Sequence, residues 1–423
     1  MIRFVRRQLA ATLGVLRGFR GNTRVVLLTE PVWAIPYNLV QTYASVYMLE
    51  LGCSPRQVGL VGSAALAAQL ASSLVSGWIT DRLGRKRTTL VFDLVSWSGA
   101  MLLWAFARGF PWFLAAAAVN SLVRIVMTSW TCIAIEDAPL DQRVHFYTWI
   151  SIASVVAGFA APLSGALVGR FGVVPAMRGL YLFGFLVMTT MFVVRNRLLV
   201  ETPMGIQRMR ESRAEHPRRE LGELLRASAE AARNPLFAIA AAASILASIL
   251  SIVRTTFQPI LLVRGLFFPA ASIAVFPLVN AAVTLAALVL LVPAVARRGT
   301  AVALAVGFSC MAASAGLLAA SPLRSWPVAL ASTALGGVGS AVVVPVTDSF
   351  LANVVPDRAR AKVMAVFYVL MFAVSSPFSW IGGLLSEVSP RLSLALVAVV
   401  CLPGLALSAL VPRAEAKAAA RHG

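Results

Sequence analysis

The sequence predicts an all-α membrane protein, with twelve transmembrane helices arranged as two six-helix, pseudo-symmetric halves. Three observations carry this expectation. With 59% hydrophobic residues, 13% charged residues and a mean hydropathy of +0.82, a soluble domain of this size would expose too much apolar surface to water. The apolar residues gather in long uninterrupted runs rather than the short alternating segments of a membrane barrel, and about 20 mainly apolar residues suffice to cross roughly 30 Å of hydrocarbon as a helix. Lys and Arg recur in alternate loops, the charge bias that orients a helical bundle.

In chain order, residues 1–24 interleave Arg3, Arg6, Arg7, Arg17 and Arg20 with Ile2, Phe4, Leu9, Leu13 and Leu16. This is the pattern of an amphipathic helix on the cytoplasmic membrane surface, and no apolar core or cleavage site of a signal peptide follows it. The apolar runs place spans at 25–50, 58–80, 88–107, 112–136, 145–168 and 178–197, then at 235–262, 271–296, 300–320, 327–352, 362–386 and 391–412. Both termini are expected in the cytoplasm, at a bacterial inner membrane. Only Arg56, Arg108, Arg170, Arg178, Arg264, Arg324 and Arg391 then lie outside, and Arg124 and Arg254 fall within spans; the rest of the 37 basic residues face inward. The net charge of +20 follows from this one-sided distribution and suits anionic membrane lipid, not a nucleic-acid groove. Residues 197–234 form a polar central loop between the bundles 25–196 and 235–412. Leu221, Leu224, Leu225 and Ala229 recur there at helical spacing, which fits either a surface helix or a tether. Residues 413–423 form a cytoplasmic tail.

The halves read as a duplication. A shift of 217 residues maps Pro139 onto Pro356, Arg143 onto Arg360 and Gly165 onto Gly382. Parallel repeats around a midplane site are a common route to alternating access.

Between the second and third spans stands GWITDRLGRKRT, Gly77 to Thr88. It places a small residue, an acid one helical turn later and a basic run where a helix meets the membrane surface. Gly77 is suited to close helix approach. Asp81 is placed to face the positive N-terminal end of the eleventh helix, near Ala361 and Lys362. Arg82 and Arg85, around Gly84, are placed to pair with Glu136 and Asp137 at the end of the fourth. Together with LELGCSPRQVG, Arg124, the IEDAPLDQR turn and a fifth helix containing Pro and Gly, this stretch resembles the major facilitator superfamily of secondary transporters over essentially the whole chain. The resemblance implies that Gly77, Asp81, Arg82, Gly84, Arg85, Glu136 and Asp137 form a gating latch that joins the halves on the cytoplasmic side. The corresponding PAVARRGT turn lacks the acid and the first glycine, so the latch is expected on one side only. GFAAPLSG, from Gly158 to Gly165, resembles a weakened Gly-Pro motif of antiporter branches, with Ala161 where that motif has glycine. Arg124 matches a helix-4 arginine tied to proton coupling in drug-exporting branches, without the glycine expected a turn later.

An ionisable side chain at the bilayer centre costs about 2.5 to 3.5 kcal/mol on insertion scales, so membrane charges mark candidate function. Glu30, Arg124 and Asp348 are the candidates for proton coupling. Glu30 either carries the proton or caps its helix end, and Asp348 is the favoured carrier; Asp93 is read as bracing the latch. Tyr37, Asn38, Gln41, Arg254, Gln258, Asn280 and Tyr368 are expected to line the substrate cavity. Arg124 and Arg254 have an alternative use, clamping an anion through bidentate hydrogen bonds. The four cysteines and three histidines show no ligand spacing, and no metal or other cofactor is expected. No catalytic constellation or Gly-rich Lys loop appears, so neither an enzyme nor a primary pump is indicated.

The expected function is a monomeric secondary transporter working by alternating access, exporting a small amphipathic compound against protons. Its partners would be the small-molecule substrate, the proton and membrane lipid, with no nucleic acid. An uptake or exchange carrier for an anionic metabolite is the alternative. A receptor or lipid-handling protein on the same fold is the reading from a different class.

Overall fold

The computed structural model describes residues 18–136, 138–211, 234–354 and 360–419, and every regular element among them is helical. The first half comprises α1 (Gly21–Gln41, continued by Ala44–Glu50), α2 (Pro55–Leu83), α3 (Arg85–Asp93, running through a π-turn at Leu94–Gly99 into Ala100–Ala105), α4 (Phe110–Asn120 and Val123–Ile135), α5 (Leu140–Gly158 and Ala161–Phe171) and α6 (Val173–Leu198). A short helix, Pro203–Glu211, follows. The second half comprises α7 (Pro235–Ile260, extended by Leu261–Gly265), α8 (Val275–Leu290, after a tight turn at Ala270–Ala274), α9 (Thr300–Ala319), α10 (Trp326–Val354), α11 (Arg360–Val388) and α12 (Pro390–Ala419). The amphipathic stretch at the N-terminus and the surface helix read from Leu221 to Ala229 lie outside the described residues.

Eleven of these segments are long and apolar enough to cross a membrane. The exception is α1, whose Thr29, Glu30, Asn38 and Gln41 dilute its apolar character. It still packs between α4, α5 and α6, so a polar-faced helix is accommodated by protein neighbours rather than by lipid.

Local chemistry explains several boundaries. Ser54 caps α2 in a reciprocal capping box with Gln57, and Pro55 occupies the first turn, where its missing N–H costs nothing. Gly84 takes φ +83° between α2 and α3, a left-handed conformation that a side chain would strain. In α5 the helix breaks at Phe159 and Ala160, because Pro162 cannot donate to the carbonyl of Gly158 and its ring crowds that position. The span expected at 145–168 is therefore two pieces.

The halves meet most tightly at the distal face, opposite the end where α1 begins and α12 stops. There α2 and α11 run side by side. A Cβ on Gly383 would lie 2.8 Å from the Pro55 carbonyl oxygen and 3.1 Å from the Gly59 Cα, so the backbones touch only because both positions lack side chains. Ser63 and Ser376 donate hydroxyl hydrogen bonds to each other's carbonyls, the second at 2.9 Å, and the Trp380 N–H donates to the Ser63 hydroxyl at 2.9 Å. A second contact joins α5 to the turn before α8: a Cβ on Gly165 would stand 2.6 Å from the Ala271 carbonyl, and the Tyr43 hydroxyl donates to the Ala270 carbonyl at 2.9 Å.

Candidate functional site

The signature turn folds around Arg85. Its Nη1 pairs with Asp81 Oδ1 at 2.8 Å and its Nε with Glu136 Oε1 at 3.2 Å, joining the ends of α2, α3 and α4, and the guanidinium is almost wholly buried. Two residues of the following linker complete this network, and the sequence reading missed both. The Glu201 carboxylate accepts the backbone N–H groups of Arg85 at 3.0 Å and Lys86 at 2.9 Å, and the Thr202 hydroxyl donates to Glu136. The first N–H groups of α3 have no partner within the helix, and the helix dipole favours an anion at that end, so Glu201 stabilises the helix start that positions Arg85. Arg82 instead lies over the Trp78 ring at 5.3 Å. A Cβ on Gly77 would meet nothing within 4 Å among the described residues. The close approach expected at that glycine is not made to any described residue, whereas Gly59 and Gly383 make one at the opposite face. Asp137 lies outside the described residues, as do the side chains of Ala361 and Lys362.

Asp93 was expected to brace the latch. It forms an ion pair with Arg195 of α6 instead, and both side chains are buried. Glu30 of α1, also buried, lies within the electrostatic reach of Arg195 and Asp93. The first half therefore holds two carboxylates around one guanidinium. Arg195 had counted only as one more basic residue at a helix end, and nothing local in the sequence marks it as the partner of a residue 102 positions away.

The polar face of α1 divides its tasks. Tyr37 stacks on Trp33 with ring centroids 5.0 Å apart, and Trp97 stands edge-on to both; this is an aromatic cluster within the first half, not the cavity lining expected of Tyr37. Asn38 donates to the Ala34 carbonyl of its own helix at 2.8 Å. Gln41 is half-buried.

Arg124 reaches across the interface between halves. Its Nε donates to Gln69 Oε1 of α2 at 2.9 Å, and its guanidinium carbon sits 4.2 Å from the Phe372 ring centroid of α11, a desolvated cation–π contact. Tyr368, one turn before Phe372, lies within electrostatic reach of both Arg124 and Asp348, and Tyr147 of α5 lies near it. Tyr147, Tyr368 and Asp348 are all exposed. They lie in the half of the molecule nearer the chain termini. Gln69, Tyr147 and Phe372 were not anticipated; the facing of their helices, not their local sequence, brings them here.

Arg254 occupies different surroundings inside the second half. Its Nε donates to Gln258 at 2.9 Å, its guanidinium packs flat on Gly336 of α10, where a Cβ would overlap it, and the cleft around it is lined by Met311, Ser314, Ser332 and Leu394. Asn280 of α8 packs on Gly337 at the other side of α10. Arg124 and Arg254 are thus seated in separate places.

A bundle of long apolar helices in two halves, closely packed at one face and carrying an exposed aspartate and exposed tyrosines towards the other, defines an integral membrane transporter. The chain belongs to the Major Facilitator Superfamily, whose sequence model matches residues 34–323. Among solved structures, a mutant of the nucleoside transporter NupG superposes with a TM-score of 0.72 at 14% identity, covering 91% of this chain and 99% of that one. A bacterial homolog of the human lysosomal transporter Spinster, in an inward-facing and unoccupied conformation, gives 0.72 at 15% identity over 96% of this chain and 98% of that one. A peptide transporter of the POT type gives 0.68 at 16% identity over 92% and 94%. A curated relative, solute carrier family 2 facilitated glucose transporter member 10 of Danio rerio, is 23% identical over 150 residues, spanning 36% of this chain and only 28% of that protein's length. Similarities this low establish the fold and leave the substrate to the site itself.

Proposed function

We propose that the chain is a secondary transporter of the bacterial cytoplasmic membrane that exports a small amphipathic compound in exchange for protons. Residues 25–196 rock against residues 235–412 as its cycle, with both termini in the cytoplasm. The observation that carries the reading is the asymmetry between the halves: glycine and serine contacts close the distal face, while Asp348, Tyr368 and Tyr147 remain exposed nearer the terminal face. With the basic loops placed inside, this arrangement corresponds to an inward-facing state. The same cytoplasmic end carries the latch of Gly77, Asp81, Arg82, Gly84, Arg85, Glu136 and Asp137.

Proton coupling is assigned to Asp348, Glu30 and Arg124. Asp348 is exposed, has no ion-pair partner among the described residues and stands nearer the end assigned to the cytoplasm, which supports it as the residue that takes up the proton. Glu30 is buried within the electrostatic reach of Arg195, whose direct partner is Asp93, which supports it as a second site in the coupling path. One charge moving across 100 mV supplies about 2.3 kcal/mol, enough for a modest concentrative step.

The test uses inside-out vesicles with a respiration-generated proton gradient. Adding lipophilic cations should partly collapse the pH gradient, and the response should vanish in Asp348→Asn or Glu30→Gln. One observation favours exchange of an anionic metabolite as a second reading: Arg254 has no acidic partner among the described residues. A response confined to organic anions and lost in Arg254→Ala would establish that reading and overturn export of cationic compounds.

A further inference from the structure

Arg254 is half-buried in the distal part of α7, and no acid of the chain is placed to neutralise it. Its Nε donates to Gln258 Oε1 at 2.9 Å; among the described residues its two terminal NH2 groups have no hydrogen-bond or ion-pair partner. The guanidinium lies on Gly336 of α10, and Asp348 follows on that helix about 18 Å away at 1.5 Å per residue. Asp357 comes after the end of the same helix. Glu387 is exposed near the distal end of α11. Because Gly382 packs on the Phe257 ring of α7 and both helices run the same way, Glu387 stands roughly 12 Å farther along the bundle than Arg254. Glu415 lies at the opposite end of α12, and Glu50 of the first half is held by Arg264 at 3.2 Å.

A guanidinium withdrawn from water without a counter-charge is strongly unfavourable. The narrow cleft around this one holds no carboxylate, and its walls show what would fit there. Because Nε can only donate, Gln258 must turn its carbonyl oxygen towards it, which leaves the Gln258 NH2 group as a further donor beside the guanidinium. Ser314 of α9 and Ser332 of α10 donate their hydroxyl hydrogens to each other's backbone carbonyls, both at 2.7 Å. The rest of the wall is apolar, from Met311 and Leu318 on α9 to Leu394 and Val397 on α12. Every lining residue belongs to the second half, so the cleft lies within that bundle rather than between the two. Gly336 is part of the design, since a Cβ there would overlap the guanidinium.

We propose that this cleft binds a small inorganic anion of the chloride class, held between the terminal NH2 groups of Arg254 and the Gln258 amide as the counter-charge of the second half. The inference goes beyond the transporter reading: it concerns an ion resident in one bundle, not the cargo that passes between two, and it stands whichever compound is carried. The guanidinium is weakly hydrated and the walls are apolar, which suits an anion that sheds its water readily. The narrowness of the cleft selects a monatomic ion over an organic carboxylate. Bound there, the anion ties α7 to α9, α10 and α12, so the stability of the second half depends on it.

The test uses the purified full-length protein in phosphatidylcholine nanodiscs, equilibrated in sodium gluconate and titrated with sodium chloride at constant ionic strength. Equilibrium dialysis with radioactive chloride should show saturable uptake approaching about one ion per chain, and the melting temperature should rise along the same curve. In Arg254→Gln the half-saturating chloride concentration should rise about tenfold or more, as expected for loss of a charge-assisted hydrogen bond. Gly336→Ala should do the same by pushing the guanidinium from its seat without removing it, which keeps the test alive if Arg254→Gln does not fold. Gln258→Glu supplies a carboxylate in place of the ion; it should melt in gluconate alone at the temperature the parent reaches in chloride. Arg264→Gln, at the ion pair with Glu50, should leave chloride uptake unchanged. No saturable uptake, uptake that Arg254→Gln and Gly336→Ala leave intact, or a melting temperature that rises alike with every salt would overturn the proposal. Stabilisation by 4-methylbenzoate without any by chloride would also overturn it, and would favour the anionic-metabolite reading instead.

Discussion

Replacing Gly383 by alanine tests whether the distal face is a seal that opens and closes. The added Cβ would stand 2.8 Å from the Pro55 carbonyl oxygen, 3.1 Å from the Gly59 Cα and 3.2 Å from the Arg56 Cα. All three are backbone atoms, so no rotamer change relieves the contact and α2 and α11 must separate. Overpacking of this kind costs about 1 to 3 kcal/mol, and the cost falls only on the state in which the two helices touch. Converted at RT, that range moves the balance of conformations by roughly 5- to 150-fold towards the state open at the distal face. Glycine to alanine in a helix interior is itself favourable by up to about 1 kcal/mol, so the helix does not suffer. The measurement is electron–electron double resonance between spin labels at Arg108→Cys and Leu323→Cys, both exposed at the distal face, in a background lacking the four native cysteines. The distance distribution should shift to longer values in Gly383→Ala and stay in place in Gly316→Ala, where a Cβ meets nothing within 4 Å among the described residues. An unchanged distribution in Gly383→Ala would refute the idea that this contact sets the balance between states.

Three further outcomes follow from the buried charges and the latch. Arg195→Ala leaves Asp93 buried without its partner and should destabilise the first half by about 3 to 5 kcal/mol, seen as a marked fall in melting temperature in detergent that Asp93→Asn partly rescues; a melt matching the parent would disprove it. Glu201→Gln removes the negative charge that receives the N–H groups of Arg85 and Lys86, at about 0.3 to 1 kcal/mol, and trypsin added to inside-out vesicles should cut faster at residues 85–87. Arg124→Lys keeps the charge but loses the planar fork that holds Gln69 and lies on Phe372; the vesicle pH response should drop by about tenfold, and full retention would show that charge alone suffices.

Much of the architecture was legible because it depends on near neighbours. Apolar runs long enough to cross a bilayer marked the spans, and the bounds of α7 and α9 fall within two residues of the ranges read from hydropathy. Gly84, Ser54 with Gln57, and Pro162 announce their turn, cap and break, since each acts within four residues of itself. The pairing of Arg85 with Glu136 was also legible, because the antiparallel course of α3 and α4 returns the chain to the same end, whereas Asp81, read as facing the start of α11, pairs with Arg85.

What the sequence by itself determined, then, is the number of helices, their order and the chemistry of their turns, all governed by hydrophobic length and local backbone preference. Only the tertiary structure decided which way each helix faces. That rotation sends Tyr37 into an aromatic cluster, seats Arg254 on Gly336, pairs Asp93 with Arg195 and brings Gly59 against Gly383. A helix in lipid is apolar on nearly every side, so its facing leaves little trace in hydropathy. It is settled by packing between residues a hundred or more positions apart, where a missing Cβ or a single buried guanidinium selects one rotation over the others.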